Sequence, residues 1–345
     1  MTRKNGMRKI GILVISSALS ACLPFLLSAQ DRPTQSEVPA LGSAPRDLSD
    51  LQITSARRLE LEEALNHKDY KKAEAILLEE VERDPKSIRA PRLLVIAGGI
   101  FFLDGQYVNS AISWKKAEAI APLDDRSRFT LAMAYVELNR RDWARPELAK
   151  LAAAQPGNPL YLYWLARLDY DAQDYAAAIA RLQRVIELNP AMMRAYDTLG
   201  LCYDYLGRFD EAIKSYNHAV ELNRLQANPS PWPHVDLAIS LMAVNQPAEA
   251  EKNLRQAVDY DARLPQAHYQ LGRVLEMQGE YQAAVQSLKQ AIALDPAYSE
   301  PHYLLGRLYH RLGEDQLSKK EIAQFQQLKK ASETQPGTNS SSSPN

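Results

Sequence analysis

Apolar residues recur along most of the chain at intervals of three and four, which is typical of helices with one buried face. The stretch 191–223 shows this most clearly: AMMRAYDTLGLCYDYLGRFDEAIKSYNHAVELN. It predicts two amphipathic helices joined by a tight turn at 206–208. Gly200 lies in the first helix, and Ala212 and Ala219 lie seven residues apart in the second. Small residues at these places would let the two helix backbones approach closely.

The same arrangement recurs with a period of 34 residues. The small positions of the first helices fall at Gly98, Ala132, Ala166 and Gly200, and after a four-residue slip at Ala238, Gly272 and Gly306. A fixed period of this length is typical of solenoids. No stretch shows the two-residue alternation of a strand. We therefore predict an all-α solenoid of about eight helix-turn-helix repeats.

The prolines divide this array. Repeats 1–5 are predicted over 54–226, and the segment 227–332 is predicted to hold the proline-rich break and repeats 6–8; the proline-rich sequence itself, RLQANPSPWP, spans 224–233. Proline lacks a backbone N–H and clashes with a preceding helical turn, so this break is expected to be an extended loop that bends the array. Residue 80, a glutamate in the first repeat, stands where Ala219 stands in the fifth. We expect it to face water, because a terminal repeat has one open face.

The N-terminal segment 1–29 has the layout of an export signal. Four basic residues precede an uncharged apolar run from Ile10 to Leu27, and a polar stretch follows. Ordinary cleavage after Ala29 is the favoured outcome. Lipidation at Cys22 is the alternative, because Leu19 to Cys22 resembles a lipobox, and an uncleaved membrane anchor is a third. Residues 30–53 are predicted to be a flexible linker and residues 333–345 a disordered tail.

Composition and charge narrow the classes of partner and chemistry. The net charge is −1, and removing residues 1–29, which carry four basic residues and no acid, leaves about −5. Nucleic-acid binding needs clustered Lys and Arg, so it is not expected. The two cysteines do not suggest a disulfide or a zinc site. Cys202 is expected to be a small buried hydrophobe.

Signatures of catalysis are missing from the sequence. It contains no HExxH, no phosphate-binding GxxxxGK[ST] loop and no GxSxG elbow. His234, His268 and His302 occupy equivalent places in consecutive repeats, too far apart for one metal ion, and are expected to pack between paired helices. We therefore expect no enzyme activity, no metal and no cofactor.

The period and its small residues resemble the tetratricopeptide repeat (TPR) family, over about 280 of the 345 residues. The resemblance implies a right-handed superhelix that binds a peptide or protein segment in a concave groove lined by the first helix of each repeat. Carried over by position, the groove residues would be Tyr163, Arg167, Tyr170, Arg194, Asp197, Leu201, Asp204, Tyr205, Trp232, Tyr269, Arg273, Glu276, Tyr303, Arg307 and His310.

Tyr and Arg recur four residues apart at equivalent groove positions in three repeats: Tyr163/Arg167, Tyr269/Arg273 and Tyr303/Arg307. These residue types are enriched in binding hot spots, although ordinary packing of neighbours on a helix is the alternative. The Asn pattern of the family's carboxylate-clamp members is absent. Because acids lie in the middle of the groove and arginines, including Arg311, toward its end, we expect a ligand of mixed charge.

Three functions remain open. The first is an exported scaffold, in the periplasm or associated with the bacterial cell envelope, that binds a protein segment in its groove. It would contact a membrane only through the N-terminal segment. The second is a regulatory or adaptor subunit of an envelope enzyme or secretion complex. The third is a glycan-binding solenoid that uses the groove aromatics Tyr163, Tyr170, Tyr205, Tyr269 and Tyr303.

Overall fold

The computed structural model describes Leu48 and residues 51–334. The expectations for the export signal, for Cys22, for most of the linker and for the tail beyond Thr334 lie outside these residues. The described part contains sixteen α-helices and no strand. In chain order the helices are α1 (Ser55–Asn66), α2 (Tyr70–Arg83), α3 (Ala90–Leu103), α4 (Tyr107–Glu118), α5 (Asp125–Glu137), α6 (Arg141–Ala154), α7 (Pro159–Asp171), α8 (Tyr175–Leu188), α9 (Met193–Tyr205), α10 (Phe209–Asn223), α11 (Trp232–Ala243), α12 (Pro247–Tyr260), α13 (Pro265–Gln278), α14 (Tyr281–Leu294), α15 (Ser299–Arg311) and α16 (Asp315–Thr334).

The chain divides into two compact units, one ending at Thr130 and the other beginning at Leu131, so that α5 spans the boundary. In the first unit each helix from α1 to α4 packs against the next. In the second unit each helix from α6 to α16 does the same. An odd-numbered helix and the even-numbered helix after it form one repeat, and the predicted series of helix-turn-helix repeats is confirmed for the described residues.

The two helices of a repeat approach most closely at the small position predicted from the period. A Cβ atom added at Gly98 would lie 2.8 Å from the ring of Trp114, and one at Gly200 would lie 2.5 Å from the ring of Tyr216. In three other repeats the same two positions hold a fully buried alanine and a buried leucine: Ala132 and Leu148, Ala166 and Leu182, Ala238 and Leu254. Glycine thus faces an aromatic ring in two repeats, and at Gly272 and Gly306 a Cβ atom would lie 2.7 Å from Leu288 and 2.8 Å from Ile322.

The turn inside each repeat needs one residue in the left-handed region of backbone conformation. This residue has a positive φ in every repeat of the described part: Lys68, Gly105, Asn139, Gln173, Gly207, Asn245, Gly279 and Gly313. Glycine adopts this conformation without steric strain, and asparagine tolerates it better than most residues. Lys68 and Gln173 adopt it because the surrounding helix pair fixes the turn. The turn predicted at 206–208 lies where expected, between Tyr205 and Phe209.

The proline-rich break is a loop of eight residues, 224–231, and is shorter than predicted. Trp232 and Pro233 already belong to the first turn of α11, where a missing N–H is harmless because no carbonyl would accept it. The buried side chain of Asn223 closes the loop. Its Nδ2 donates to the Ser230 carbonyl at 2.7 Å, and its Oδ1 accepts from the Ser230 N–H at 2.8 Å. Helices α10 and α11 pack directly against each other.

The first repeat is better covered than the sequence suggests. Leu48, Leu51 and Ile53, at the end of the expected flexible linker, pack against its apolar core. Glu80 does not face water but is only 2% exposed. The guanidinium groups of Arg57, Arg83 and Arg89 lie within 3.6 Å of its carboxylate. The expectation for Glu80 was therefore wrong, because three cations compensate a buried charge that would otherwise be unfavourable.

Candidate functional site

The first helices of successive repeats in the second unit contact one another as well as their own partners. Helix α7 contacts α9, α9 contacts α11, α11 contacts α13 and α13 contacts α15. These five helices carry all the residues that the family resemblance assigned to a groove. We call the surface that they form the first-helix face.

At the start of this face the predicted residues are buried. Tyr163 and Arg167 are each 4% exposed and Tyr170 is 3% exposed. The Tyr163 hydroxyl lies 3.4 Å from the Thr198 hydroxyl of the next repeat, and the Arg167 guanidinium lies over the Tyr170 ring at 5.1 Å. Leu201 is also buried. Of these two contacts, only that between Tyr163 and Thr198 joins neighbouring repeats, and the assignment of these buried residues to a groove stays a prediction.

The middle of the face contains an acidic group with an unusual environment. Ser240 donates its hydroxyl to both carboxylate oxygens of Asp204 at 2.7 and 2.8 Å, and the Tyr216 hydroxyl donates to one of them at 2.9 Å. Burial raises the pKa of Asp204 to about 6, although both hydroxyl donors act in the opposite direction. Burial also raises the pKa of Tyr216, with help from the charges of Asp204 and Asp236. Asp204 thus links the fifth repeat to the sixth.

Around this group the other predicted residues are partly accessible. Arg194, Asp197 and Trp232 are half-buried, and Tyr205 is 37% exposed. The Tyr205 ring stacks on the ring of Tyr175 with centroids 5.0 Å apart, and it meets the Tyr170 ring edge-on. Much of the aromatic surface that the sequence places here is therefore used for packing between repeats.

The predicted residues of the last two repeats are the most accessible part of the face. The Arg273 guanidinium lies 6.0 Å from the centre of the Tyr269 ring, and the Arg307 guanidinium lies 5.9 Å from that of Tyr303. Tyr269 and Arg273 are half-buried, whereas Arg307 is exposed and Tyr303 is 46% exposed. In these two Tyr/Arg pairs the guanidinium thus lies near the ring of its own pair.

Polar contacts connect these two repeats along the face. Arg307 donates to Glu276 of the preceding first helix at 3.1 Å. Arg311 donates to the Tyr281 hydroxyl at 3.0 Å and lies over its ring at 5.1 Å. His310 is exposed and lies 3.0 Å from Asp315 through Nδ1.

Two residues beside them were not assigned to the site from the sequence. Tyr281 begins α14, and Met277 lies on α13 and is 45% exposed. Met277 occupies the place that Arg311 takes one repeat later, so the period itself could have indicated it.

The three equivalent histidines behave differently from one another. His234 contacts Asn253 at 2.8 Å and His302 contacts Glu321 at 2.7 Å, in both cases across the paired helices of one repeat. The packing role predicted for them is confirmed. His268 is only half-buried, and its Nε2 lies 2.9 Å from the Ala262 carbonyl in the loop before its own helix. Burial lowers the pKa of His234.

Residues 48 and 51–334 contain no cluster of three or more His, Cys, Asp or Glu side chains with the geometry of a metal site. Cys202 is fully buried, and burial raises the pKa of its thiol to about 12. None of the described helices combines the length and apolar character needed to cross a membrane.

The fold defines a helical-repeat protein whose first helices carry the predicted groove residues. A family model for the TPR repeat matches residues 277–313, and a family model described as anaphase-promoting complex, cyclosome, subunit 3, matches residues 147–219. The chain contains tetratricopeptide repeats.

One curated relative and two solved structures illustrate the similarity. The chain is 29% identical over 104 residues to the cytochrome c-type biogenesis protein CycH of Bradyrhizobium diazoefficiens, a match that covers 29% of this chain and 27% of that protein. A tetratricopeptide repeat protein from Parabacteroides merdae superposes with a TM-score of 0.59 at 18% identity, over 73% of this chain and 97% of that one. PilW, a type IV pilus biogenesis factor, superposes with a TM-score of 0.54 at 18% identity, over 59% of this chain and 92% of that one. The two structures share the fold.

Proposed function

We propose that this protein is a non-catalytic interaction scaffold of the bacterial cell envelope, which binds a protein segment on its first-helix face. The observation that carries the proposal is the recurrence of Tyr269/Arg273 and Tyr303/Arg307 at the same place on two adjacent first helices. Tyr and Arg dominate binding hot spots because they combine a large rigid surface with directional hydrogen bonds. A preformed face also avoids the entropy cost of ordering loops when the partner binds.

The envelope part of the proposal rests on the sequence of residues 1–29 and on the relatives. The basic start and the apolar run that follows have the layout of an export signal. CycH is named for cytochrome c biogenesis and PilW for type IV pilus biogenesis. These names support a second candidate function, an adaptor subunit of an envelope assembly complex. The glycan-binding alternative is less favoured, because Tyr163 and Tyr170 are buried.

The test compares charge reversal on two faces of the array. In one variant Arg273→Glu and Arg307→Glu alter the first-helix face. In the control variant Arg184→Glu and Arg255→Glu alter second helices, where each arginine, like Arg307, is exposed and pairs with one glutamate. Partners are crosslinked in envelope fractions and quantified by mass spectrometry. We expect the first variant to lose the recovered protein and the control to retain it.

The composition of the recovered material separates the alternatives. One protein at fixed stoichiometry would favour the adaptor role, and several proteins would favour the scaffold. Glycan without protein would contradict both. Equal recovery by the two variants would remove the first-helix face from the proposal.

A further inference from the structure

The arginines of the last two repeats share one surface with few acids. Arg273, Arg307 and Arg311 lie on α13 and α15, and the only acid among the predicted groove residues of these two helices is Glu276, which Arg307 already neutralises. Among the other acids nearby, Glu280 and Glu314 directly precede the second helices, Asp315 begins α16 and contacts His310, and Glu300 accepts from Lys329. Helices α13 and α15 therefore carry three arginines and two glutamates, and both glutamates already pair with a cation.

The contacts that these arginines make leave much of their hydrogen-bonding capacity available. Arg273 donates to Gln270 at 2.8 Å, Arg307 to Glu276 and Arg311 to Tyr281. A guanidinium group has five N–H donors in a fixed fork, so one such contact orients the group without exhausting its donors. The rings of Tyr269, Tyr281 and Tyr303 lie beneath the guanidinium groups and further restrict their orientation. Side chains that are already oriented lose less entropy when they bind a carboxylate.

We infer that the last two repeats bind an extended acidic protein segment, whose carboxylates pair with Arg273 and Arg307. This inference rests on the proposed function and names the class of partner. For the last two repeats it replaces the mixed-charge ligand expected from the sequence, because the acids behind that expectation, Asp197 and Asp204, lie on α9 in the fifth repeat.

The repeat spacing also sets the spacing of the acids in such a segment. Helices α13 and α15 are in contact, and packed helices lie about 8–10 Å apart. Arg273 and Arg307 occupy equivalent positions on them, so their guanidinium groups are offset by about one helix spacing. An extended chain rises about 3.3 Å per residue. Acidic residues about three positions apart would therefore meet successive arginines, and the half-exposed Met277 offers an apolar contact to a side chain between them.

The experiment uses three labelled peptides of twelve residues and the full chain. One peptide carries glutamate at every third position among Ser, Ala and Tyr. The second has glutamine in place of each glutamate, and the third has the same composition as the first with all glutamates clustered at one end. Binding is measured by fluorescence anisotropy at low and high salt. We expect the first peptide to bind at least tenfold more tightly than the second and more tightly than the third, and to weaken as salt rises.

Variants identify the surface. Arg273→Gln with Arg307→Gln should weaken binding of the first peptide at least tenfold. Arg273→Lys with Arg307→Lys should lie between this variant and the natural protein, because lysine keeps the charge and loses the fork. Arg184→Gln with Arg255→Gln removes equal charge from second helices and should leave affinity unchanged. Circular dichroism of each variant verifies folding.

The inference would be overturned if the glutamine peptide bound equally well, or if the control variant lost as much affinity as the first-helix variant. Preferential binding of a single-stranded DNA of equal charge would also overturn it in favour of a general polyanion site. If crosslinking recovers a protein partner whose capture does not depend on Arg273 and Arg307, the scaffold proposal stands and the acidic segment does not. If no protein is recovered by any variant, the scaffold proposal itself fails.

Discussion

Two adjacent glycines in α3 allow a sharp test of how the helix pairs are packed. A Cβ atom at Gly98 would lie 2.8–2.9 Å from three atoms of the Trp114 ring, whereas a Cβ atom at Gly99 would meet nothing within 4 Å. The two positions share a helix, a sequence context and a substitution, Gly→Ala. They differ only in whether the second helix of the repeat lies against them.

The expected effects have opposite signs. Replacing glycine with alanine inside a helix stabilises it by about 0.5–1 kcal/mol, because alanine loses less backbone entropy on folding. Gly99→Ala should show this gain. At Gly98 the new methyl group would overlap a ring that is only 2% exposed and cannot move away. Overpacking of this kind costs about 1–3 kcal/mol. Gly98→Ala should therefore be less stable than Gly99→Ala by about 1–3 kcal/mol.

The assay must report on α3 and α4, because a repeat array does not unfold as a single cooperative unit. Amide hydrogen exchange of these two helices gives the local free energy of opening, and thermal melting by circular dichroism gives the global effect. Equal behaviour of the two alanine variants would refute the close approach.

A second substitution tests the cause of the effect at Gly98. Trp114→Leu together with Gly98→Ala would create the Ala/Leu combination that three other repeats contain. Among the described residues the Trp114 indole N–H has no hydrogen-bond partner, so its removal does not deprive any polar group of a hydrogen bond. In the Trp114→Leu background, Gly98→Ala should be neutral or stabilising. An undiminished loss in that background would show that the ring is not what excludes the methyl group.

Three further predictions concern single residues. The pKa of Asp204 is raised from 3.8 to about 6, so between these pH values the folded state holds a proton that the unfolded state has released. The free energy of unfolding should therefore be highest below about pH 4. It should fall by about 3 kcal/mol as the pH rises through 6, at about 1.4 kcal/mol for each pH unit. Chemical denaturation across this range should show the loss, and Asp204→Asn should flatten it; an unchanged slope would contradict the assignment. Gln173→Gly should raise the melting temperature, with a gain of up to about 1 kcal/mol, because Gln173 has a positive φ of 62°; a lower melting temperature would argue against that conformation. Asn223→Ala should lower the free energy of unfolding by about 1–3 kcal/mol and speed limited proteolysis within 224–231, because Ser230 loses both of its contacts with Asn223. The control Asn228→Ala, at an exposed position of the same loop, should have neither effect. Equal cleavage of the two variants would count against the Asn223 contacts.

The repeat architecture could be predicted because one periodic signal specifies it many times over. The 34-residue spacing from Gly98 to Gly200 marks where two backbones must approach, and each close approach is found there. The turn before Phe209 was predictable for the same reason, because Gly207 supplies a left-handed conformation that most residues avoid. Repetition lets weak local signals reinforce one another, and contacts within one helix pair depend on residues close in sequence.

The accessibility of the predicted site residues could not be obtained in this way. Tyr163 and Tyr303 occupy the same position of the repeat, yet one is 4% and the other 46% exposed. The Glu80 carboxylate is buried because three arginines from different segments surround it. Burial raises the pKa of Asp204 to about 6, although Ser240, 36 residues away, and Tyr216 both donate to its carboxylate. These properties depend on which side chains the neighbouring repeats supply.

The sequence by itself determined the helices, their pairing and the family, because these follow from the spacing of small and apolar residues within one repeat. Only the tertiary structure decided which of the equivalent tyrosines and arginines remain accessible. The reason is that a side chain's exposure and charge state depend on how far the next repeat excludes solvent from it. The period gives the position of each tyrosine and arginine in its repeat but not the side chains that cover it. The first-helix face is therefore formed by the stacking of repeats, and its most accessible part lies in the last two repeats.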